Sequence, residues 1–286
     1  MHSIQIGTIQ MMTVSQKAKT GYVLQKGETE VVLVDQEMTE ELAIGDKIDV
    51  FVYPDKRGQL MASMKLPQMV IGTYGWASVV EVIPNLGVFV DIGSSKEILV
   101  SVDDLPVIEA VWPTVGDKLY VTLGQDKKGR LLAIPASEEE LRSEWEPAND
   151  VELNDRVSGH IYLTSKEGSA LLTEQGYRGF IHHTERESEP RLGEYVNGRV
   201  IEVKEDGTLN VSLLPFKHER IDDDAEVILT YLKQQDGVMS FNDKSSPESI
   251  QETFHMSKSA FKRALGRLMK QRHIIQEDGY TKLVDK

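Results

Sequence analysis

One phrase occurs three times in this chain, and it limits the possible folds more than any other feature. Ile44-Gly45-Asp46-Lys47-Ile48-Asp49-Val50 leads to Asp55-Lys56-Arg57-Gly58-Gln59-Leu60. Val115-Gly116-Asp117-Lys118-Leu119-Tyr120-Val121 leads to Asp126-Lys127-Lys128-Gly129-Arg130-Leu131. Leu192-Gly193-Glu194-Tyr195-Val196 leads to Lys204-Glu205-Asp206-Gly207-Thr208-Leu209. The two glycines of each copy lie 13, 13 and 14 residues apart, and successive copies start 71 and 77 residues apart. Such a period is that of a small domain and is too long for a solenoid turn.

Gly-Asp reads as a turn, and the alternating apolar residues after it as a strand buried on one face. Asp-Lys-Arg-Gly or Asp-Lys-Lys-Gly then reverses the chain, its glycine taking the positive φ of a tight hairpin. Another strand follows at Gln59 to Ser63, Arg130 to Ile134 and Leu209 to Leu213. Upstream, each copy carries a Gly-led apolar run: Gly21-Tyr22-Val23-Leu24, Gly87-Val88-Phe89-Val90-Asp91-Ile92-Gly93 and Gly168-Ser169-Ala170-Leu171-Leu172. Five short strands per repeat predict a small five-stranded barrel, whose closure hides the strand edges.

Residues 137–152 break the pattern. Ser137-Glu138-Glu139-Glu140-Leu141 spells a capping box opening a short acidic helix, stopped by Pro147 and Asn149-Asp150. After Pro215 the apolar period changes from about two to about 3.6. Asp222-Asp223-Asp224 precedes Ala225, Val227, Ile228, Tyr231 and Leu232, which predicts an amphipathic helix with acids at its N-terminal end. Pro247 to Phe254 spells a second helix. Ser257 caps a third, with Phe261, Ala264, Leu265, Leu268 and Met269 on one face. Ile274-Ile275 and Lys282-Leu283-Val284 flank Glu277-Asp278-Gly279-Tyr280 as a hairpin. The expected organisation is a mainly β chain with an α/β C-terminal module. Barrels span 1–67, 68–136 and 153–216, an acidic linker 137–152, and a winged helix-turn-helix 217–286.

The repeats resemble the S1-type RNA-binding domain, an OB-fold. Gly87-Val88-Phe89-Val90 matches its Gly-x-Phe-Val strand, Gly179-Phe180-Ile181-His182-His183-Thr184 its Gly-Leu-Val-His-x-Ser strand, and Asp126-Lys127-Lys128-Gly129-Arg130 its late turn. Three tandem S1-like OB-fold barrels followed by a winged helix resemble the conserved virulence factor B family of bacterial RNA-binding regulators. The resemblance implies that Phe, His, Asp and Arg at these positions share a face that holds single-stranded RNA. It also implies post-transcriptional control of virulence-related genes. Bases stack on aromatic rings whatever their sequence, and an arginine beside the ring can hold phosphate or stack. The expected RNA contacts are Phe89, Asp126, Lys127, Lys128, Arg130 and His182, with Lys56 and Arg57 in the first hairpin turn. No barrel carries the full set. The first has Val23 for Phe and Gln59 for Arg, and the second has Ser101 for His. The third has Ala170 for Phe and Lys204 to Thr208 for the turn. The second barrel therefore ranks first as a platform, then the third. Tyr74 and Trp76 beside Gly75 could stack a base or be buried. His182-His183 as a metal site lacks a third ligand nearby in sequence, so no metal is expected.

Charge is unevenly spread. The chain carries −14 overall, yet residues 254–286 sum to +5 and the rest to −19. A uniformly basic coat for nucleic acid is excluded, and a polyanion must find a local patch. Lys258, Lys262, Arg263, Arg267 and Lys270 lie on the polar side of the third helix, the one that enters a groove in a helix-turn-helix. RNA, DNA or plain solvation all remain open for that face. Cysteine is absent, which excludes disulfides and thiolate metal sites. No stretch of about 18 apolar residues suggests a membrane span, and the start of the chain has no signal-peptide pattern. A cytoplasmic protein is expected. No phosphate-binding loop, nucleophile elbow or His-Glu-x-x-His is present. Asp103-Asp104 and Asp222-Asp223-Asp224 read as a turn and a helix start. The expectation is a binding protein without a cofactor or catalysis. A winged-helix DNA-binding regulator and a protein adaptor are the alternatives.

Overall fold

The repeated phrase folds the same way three times. In the computed structural model, residues 4–55, 57–215, 217–277 and 279–284 are described, 217–223 by their backbone alone. The chain forms two compact units, 1–214 and 215–286. In the first barrel β1 (Thr8–Ala18), β2 (Gly21–Lys26), β3 (Thr29–Val34), β4 (Lys47–Pro54) and β5 (Leu60–Ser63) close in the order β1-β2-β3-β5-β4. The second is built from β6 (Gly75–Ile83), β7 (Gly87–Asp91), β8 (Ile98–Ser101), β9 (Lys118–Gln125) and β10 (Leu131–Pro135). The third is built from β11 (Arg156–Thr164), β12 (Gly168–Thr173), β13 (Arg178–His182), β14 (Tyr195–Val203) and β15 (Leu209–Ser212). In each barrel the third and fifth strands pair in parallel and the other pairs are antiparallel. The first strand of each carries a bulge, at Val14/Gln16, Val79/Glu81 and Ile161/Leu163, which bends it toward closure.

The repeated residues supply the turns. Asp46 and Asp117 each accept the N–H three residues earlier at 2.7 Å, and Glu194 does so at 2.8 Å. The hairpin turn is also conserved among the copies. Gly58, Gly129 and Gly207 have φ of +83°, +76° and +78°, where an L side chain is strained. Each barrel has its own apolar core, and the barrels of unit 1 also dock. The third copy's turn lies on the second barrel: Lys118 N–H donates to Gly193 O at 3.0 Å, and Arg191 pairs with Asp117 at 3.0 Å. Phe51 of β4, between the inward Val50 and Val52, points outward and joins the second barrel's core cluster.

Residues 137–152 are more than a spacer. Ser137 and Glu140 form the expected capping box, and α1 (Glu138–Leu141) follows. Leu141 is fully buried with Tyr162, Ala170 and Leu172 of the third barrel. Glu146 and Ala148 N–H groups donate to Gly176 and Gly207 carbonyls of the same barrel.

Unit 2 contains α2 (Lys217–Gln234), α3 (Pro247–Phe254) and α4 (Lys258–Lys270). It also has a small sheet of β16 (Val238–Met239), β17 (Ile274–Glu277) and β18 (Tyr280–Leu283) in the order β16-β18-β17. Ser246 and Ser257 cap α3 and α4 by accepting the Ser249 and Ala260 N–H groups. One expectation is corrected. The triplet Asp222-Asp223-Asp224 does not open the first helix, which starts at Lys217, two residues after Pro215. Proline sets that boundary, and the acids fall inside the helix. The side chains of Asp222 and Asp223 lie outside the described residues. The strand β16, too short to show a period, was not legible.

Unit 1 should weaken at alkaline pH. Burial pushes the phenols of Tyr53 and Tyr162 up to about 12. A raised folded-state value means that the stabilisation is whole below the unfolded value of about 10. It is then lost as pH climbs from about 10 to about 12. Urea midpoints at pH 8, 10 and 11 should fall between the last two, and Tyr162→Phe should flatten that fall. A flat wild-type profile across this range overturns the assignment.

Candidate nucleic-acid interface

Strand alternation decides which side chains of a barrel can meet a ligand. On β7, Val88 and Val90 are fully buried, and Phe89 between them faces outward and is half-buried. Phe89 pairs with Leu99 on β8, and Leu99 pairs with Leu132 on β10. Three outward apolar side chains thus form a stripe across three strands of the second barrel. Sequence reasoning found Phe89 but missed Leu99 and Leu132, because only the register between strands brings them together. In the first barrel the matching stripe is Val23, Val32 and Met61, aliphatic and without a ring. Tyr53 lies beside it, covered by the Lys96 ammonium at 5.1 Å.

The basic turn sits at the start of β10. Asp126 is already engaged within its own turn. One of its carboxylate oxygens accepts the Lys128 and Arg130 N–H groups at 2.8 and 2.9 Å, and the other accepts Arg130 Nε at 2.7 Å. The Arg130 backbone N–H leads the set of donors that holds this carboxyl below its ordinary range. Asp126 therefore shapes the turn and orients Arg130, whose side chain is 73 % exposed. Lys127 and Lys128 are exposed as well. Asp55 caps the first barrel's turn through the Arg57 and Gln59 N–H groups at 2.7 and 2.8 Å. Arg57 is exposed there, and Lys56 lies outside the described residues.

In the third barrel His182 is exposed at the end of β13. Its Nδ1 accepts the Thr184 N–H at 3.4 Å, and its ring lies 4.2 Å from that of His183. Ser101 does the same capping job in the second barrel, accepting the Asp103 N–H at 3.3 Å. That explains why serine can replace histidine at this position without loss of the turn. Ala170, at the place of Phe89, is fully buried. Its β13 partner is Phe180, an outward aromatic that sequence reasoning did not single out. The Arg178 guanidinium lies 5.8 Å from the Phe180 ring and 5.5 Å from the Trp145 ring. Among the described residues no group of three His, Asp or Glu is arranged to hold a metal.

Tyr74 and Trp76 lie at the junction of the second and third barrels rather than on either stripe. Trp76 meets Tyr120 at 5.1 Å and His160 at 5.1 Å, and His160 meets Tyr195 at 5.0 Å. Both are half-buried and pack against the Leu141 cluster.

In unit 2, α4 buries Phe261, Ala264, Leu265 and Leu268. Lys262, Arg263 and Lys270 are exposed on the other side, while Lys258 and Arg267 are half-buried. Gly266 lies among them, exposed, with open space where a side chain would stand. The wing is less basic: Lys282 pairs with Glu277 at 3.5 Å, and Asp278 lies outside the described residues. No helix among the described residues is long and apolar enough to cross a membrane.

Comparison with known proteins follows this architecture from end to end. Residues 6–65 match the S1 domain, 74–134 the CvfB first S1-like domain, 142–215 the second domain of virulence regulatory factor CvfB, and 226–283 the CvfB-like winged helix domain. The chain is 44 % identical over 279 residues to "Uncharacterized protein YitL" of Bacillus subtilis, covering 98 % of this chain and 94 % of that one. It is 39 % identical over 285 residues to conserved virulence factor B of Staphylococcus aureus strain N315, covering 98 % and 95 %. A crystal structure of a multidomain protein with nucleic acid binding domains from Streptococcus pneumoniae is similar at 37 % identity, with 98 % of each chain covered and a TM-score of 0.67. Three barrels and a winged helix in this order, matched along nearly the whole chain, make it a member of the conserved virulence factor B family.

Proposed function

We propose that this protein is a cytoplasmic regulator that holds single-stranded RNA and does no chemistry on it. The observation that carries this reading is the outward stripe of Phe89, Leu99 and Leu132, which leads on β10 to the exposed Lys127, Lys128 and Arg130. An apolar strip beside exposed cations suits a strand of stacked bases with its phosphates at the edge. Arg57 on the first barrel and His182 on the third would extend the path. The nucleic acid binding domains of the pneumococcal relative support the same reading. By the family's name, the regulated genes are virulence-related. The −19 carried by residues 1–253 repels loose polyanion contact, so binding should be modest, patch-limited and strongly salt-dependent.

The test is fluorescence anisotropy of a labelled pyrimidine-rich RNA with the full chain at two salt concentrations, duplex DNA being the competitor. Phe89→Ala removes one stacking platform, worth about 1–3 kcal/mol, so affinity should fall about 5- to 150-fold while the chain stays folded. Wild-type affinity in that variant removes the second barrel from the reading. The exposed Lys262, Arg263 and Lys270 of α4 favour a second reading, a winged helix on duplex DNA. Under it, duplex competes better than single strand, and Lys262→Ala with Arg263→Ala costs more than Phe89→Ala.

A further inference from the structure

The third barrel carries an arginine and an aromatic ring on its outer face, and both are already engaged by the chain itself. Arg178 Nε and Nη2 donate to Glu138 Oε1 at 3.0 and 2.7 Å. Its guanidinium lies within 6 Å of two ring centres, Trp145 and Phe180. A carboxylate on the arginine fork and an indole against its plane are the two contacts a nucleotide would make, phosphate and base. Both come from residues 138–145, a segment that also carries Glu139, Glu140 and Glu144.

We propose that Arg178 and Phe180 form a second single-stranded nucleic-acid site, closed by residues 138–145 acting as an internal ligand. Glu138 stands in for a phosphate and Trp145 for a base. This rests on the RNA reading above and deepens it by assigning the third barrel a gated share of the path.

The cover is short. It is one helical turn and a 3-10 turn, held by the fully buried Leu141, the Glu138–Arg178 pair, the contact of Glu140 with the Tyr74 hydroxyl, and the Glu146 N–H donated to Gly176 O at 2.9 Å. Glu139 and Glu144 are exposed, and with Glu138 and Glu140 they give the segment a net negative charge that Arg142 only partly offsets. A strand already held by the second barrel reaches the third at high effective concentration. Its phosphates can then compete with Glu138 for Arg178. The gate also explains why Ala170 can stand where the second barrel has Phe89: the covering segment fills that place, so a ring there would clash with the cover.

The test measures the full chain with labelled oligouridine by anisotropy, comparing wild type, Glu138→Gln, and Glu138→Gln with Arg178→Ala. Glu138→Gln keeps the shape of the segment and removes its charge. It should tighten binding about fivefold or more, and adding Arg178→Ala should erase the gain. Hydrogen exchange at residues 138–145 should rise when oligouridine is added to wild type. If wild type binds through Phe89 but Glu138→Gln binds no more tightly, the gate is overturned and the RNA reading stands. If exchange at 138–145 is unchanged or slowed by RNA, the gate is likewise overturned. No binding by any form overturns both.

Discussion

Gly87→Ala should destabilise the second barrel by at least about 3 kcal/mol. The backbone at Gly87 has φ +135°, and a Cβ built there would stand 2.0 Å from the Val100 carbonyl oxygen on the neighbouring strand β8. A strand carbonyl cannot move aside as a side-chain tip can, so β7 and β8 must part. The same close approach recurs at Gly21, 2.0 Å from Leu33 O, and at Gly168, 2.3 Å from Ile181 O. This is the physical content of the Gly-led run found in every repeat. Urea unfolding of the full chain provides the measurement. Gly129→Ala is the control: it also has positive φ, but nothing lies within 4 Å of its missing Cβ. It should cost only the strain of a left-handed backbone, about 1–2 kcal/mol. If the two variants lose the same stability, strand contact is not the reason for Gly87. Gly87→Ala should also abolish RNA binding by unfolding the platform, whereas Phe89→Ala should weaken binding with stability retained.

Much of the fold is legible in the sequence because the repeat marks it. The Gly-Asp turn, the second hairpin turn and the Gly-led strand recur in each copy, so three barrels could be counted before any contact was known. The winged helix was legible from Ser257, from the apolar face around Phe261 and Leu265, and from the Gly279 turn. The start of its first helix was not, because an acidic triplet marks a helix start only where the chain is free to begin there, and Pro215 had already set the boundary.

The site was less legible, for two reasons. Outward residues become a surface only through register, and register joins Phe89 to Leu99 and Leu132 across pairs of strands that the sequence does not name. Docking then removes faces that alternation leaves open. Ala170 and Phe180 alternate correctly on β12 and β13, yet the segment around Leu141 lies over Ala170. Phe180 stands in the same motif as His182 and could have been found by its alternation with Gly179 and Ile181. Arg178 gave no signal of its own, since its meaning comes from Glu138, 40 residues away. The motif aspartate Asp126 carries a second role that the pattern alone does not show. Asp126 matched the family pattern and also shapes its own turn, as Asp55 does in the first barrel, so its recurrence in those two repeats has a folding reason beside any ligand.

Docking between barrels leads to the other large effect. Phe51→Ala should cost unit 1 about 3–5 kcal/mol, the usual price of emptying a buried aromatic site. Alternation on β4 makes Phe51 a solvent-facing residue between Val50 and Val52, and on an isolated barrel the substitution would be nearly neutral. Instead Phe51 is fully buried in one apolar cluster with Met69, Ile92 and Leu131. Its ring stacks at 6.0 Å on Tyr53. The side chain thus belongs to the first barrel by sequence and to the second by packing. Removing it opens a cavity at their joint, so the loss should appear as uncoupling. The first barrel should unfold at lower urea than the second and third, and protease should cut near residues 64–74 in the variant but not in wild type. A variant with one cooperative transition and wild-type stability would mean that the joint does not hold in solution. The consequence for function follows from geometry. If the first barrel is fixed to the second through Phe51, Arg57 and the Phe89 stripe address the same RNA strand at a set spacing. Phe51→Ala should then weaken binding to long oligonucleotides while leaving short ones, which reach only the second barrel, unaffected.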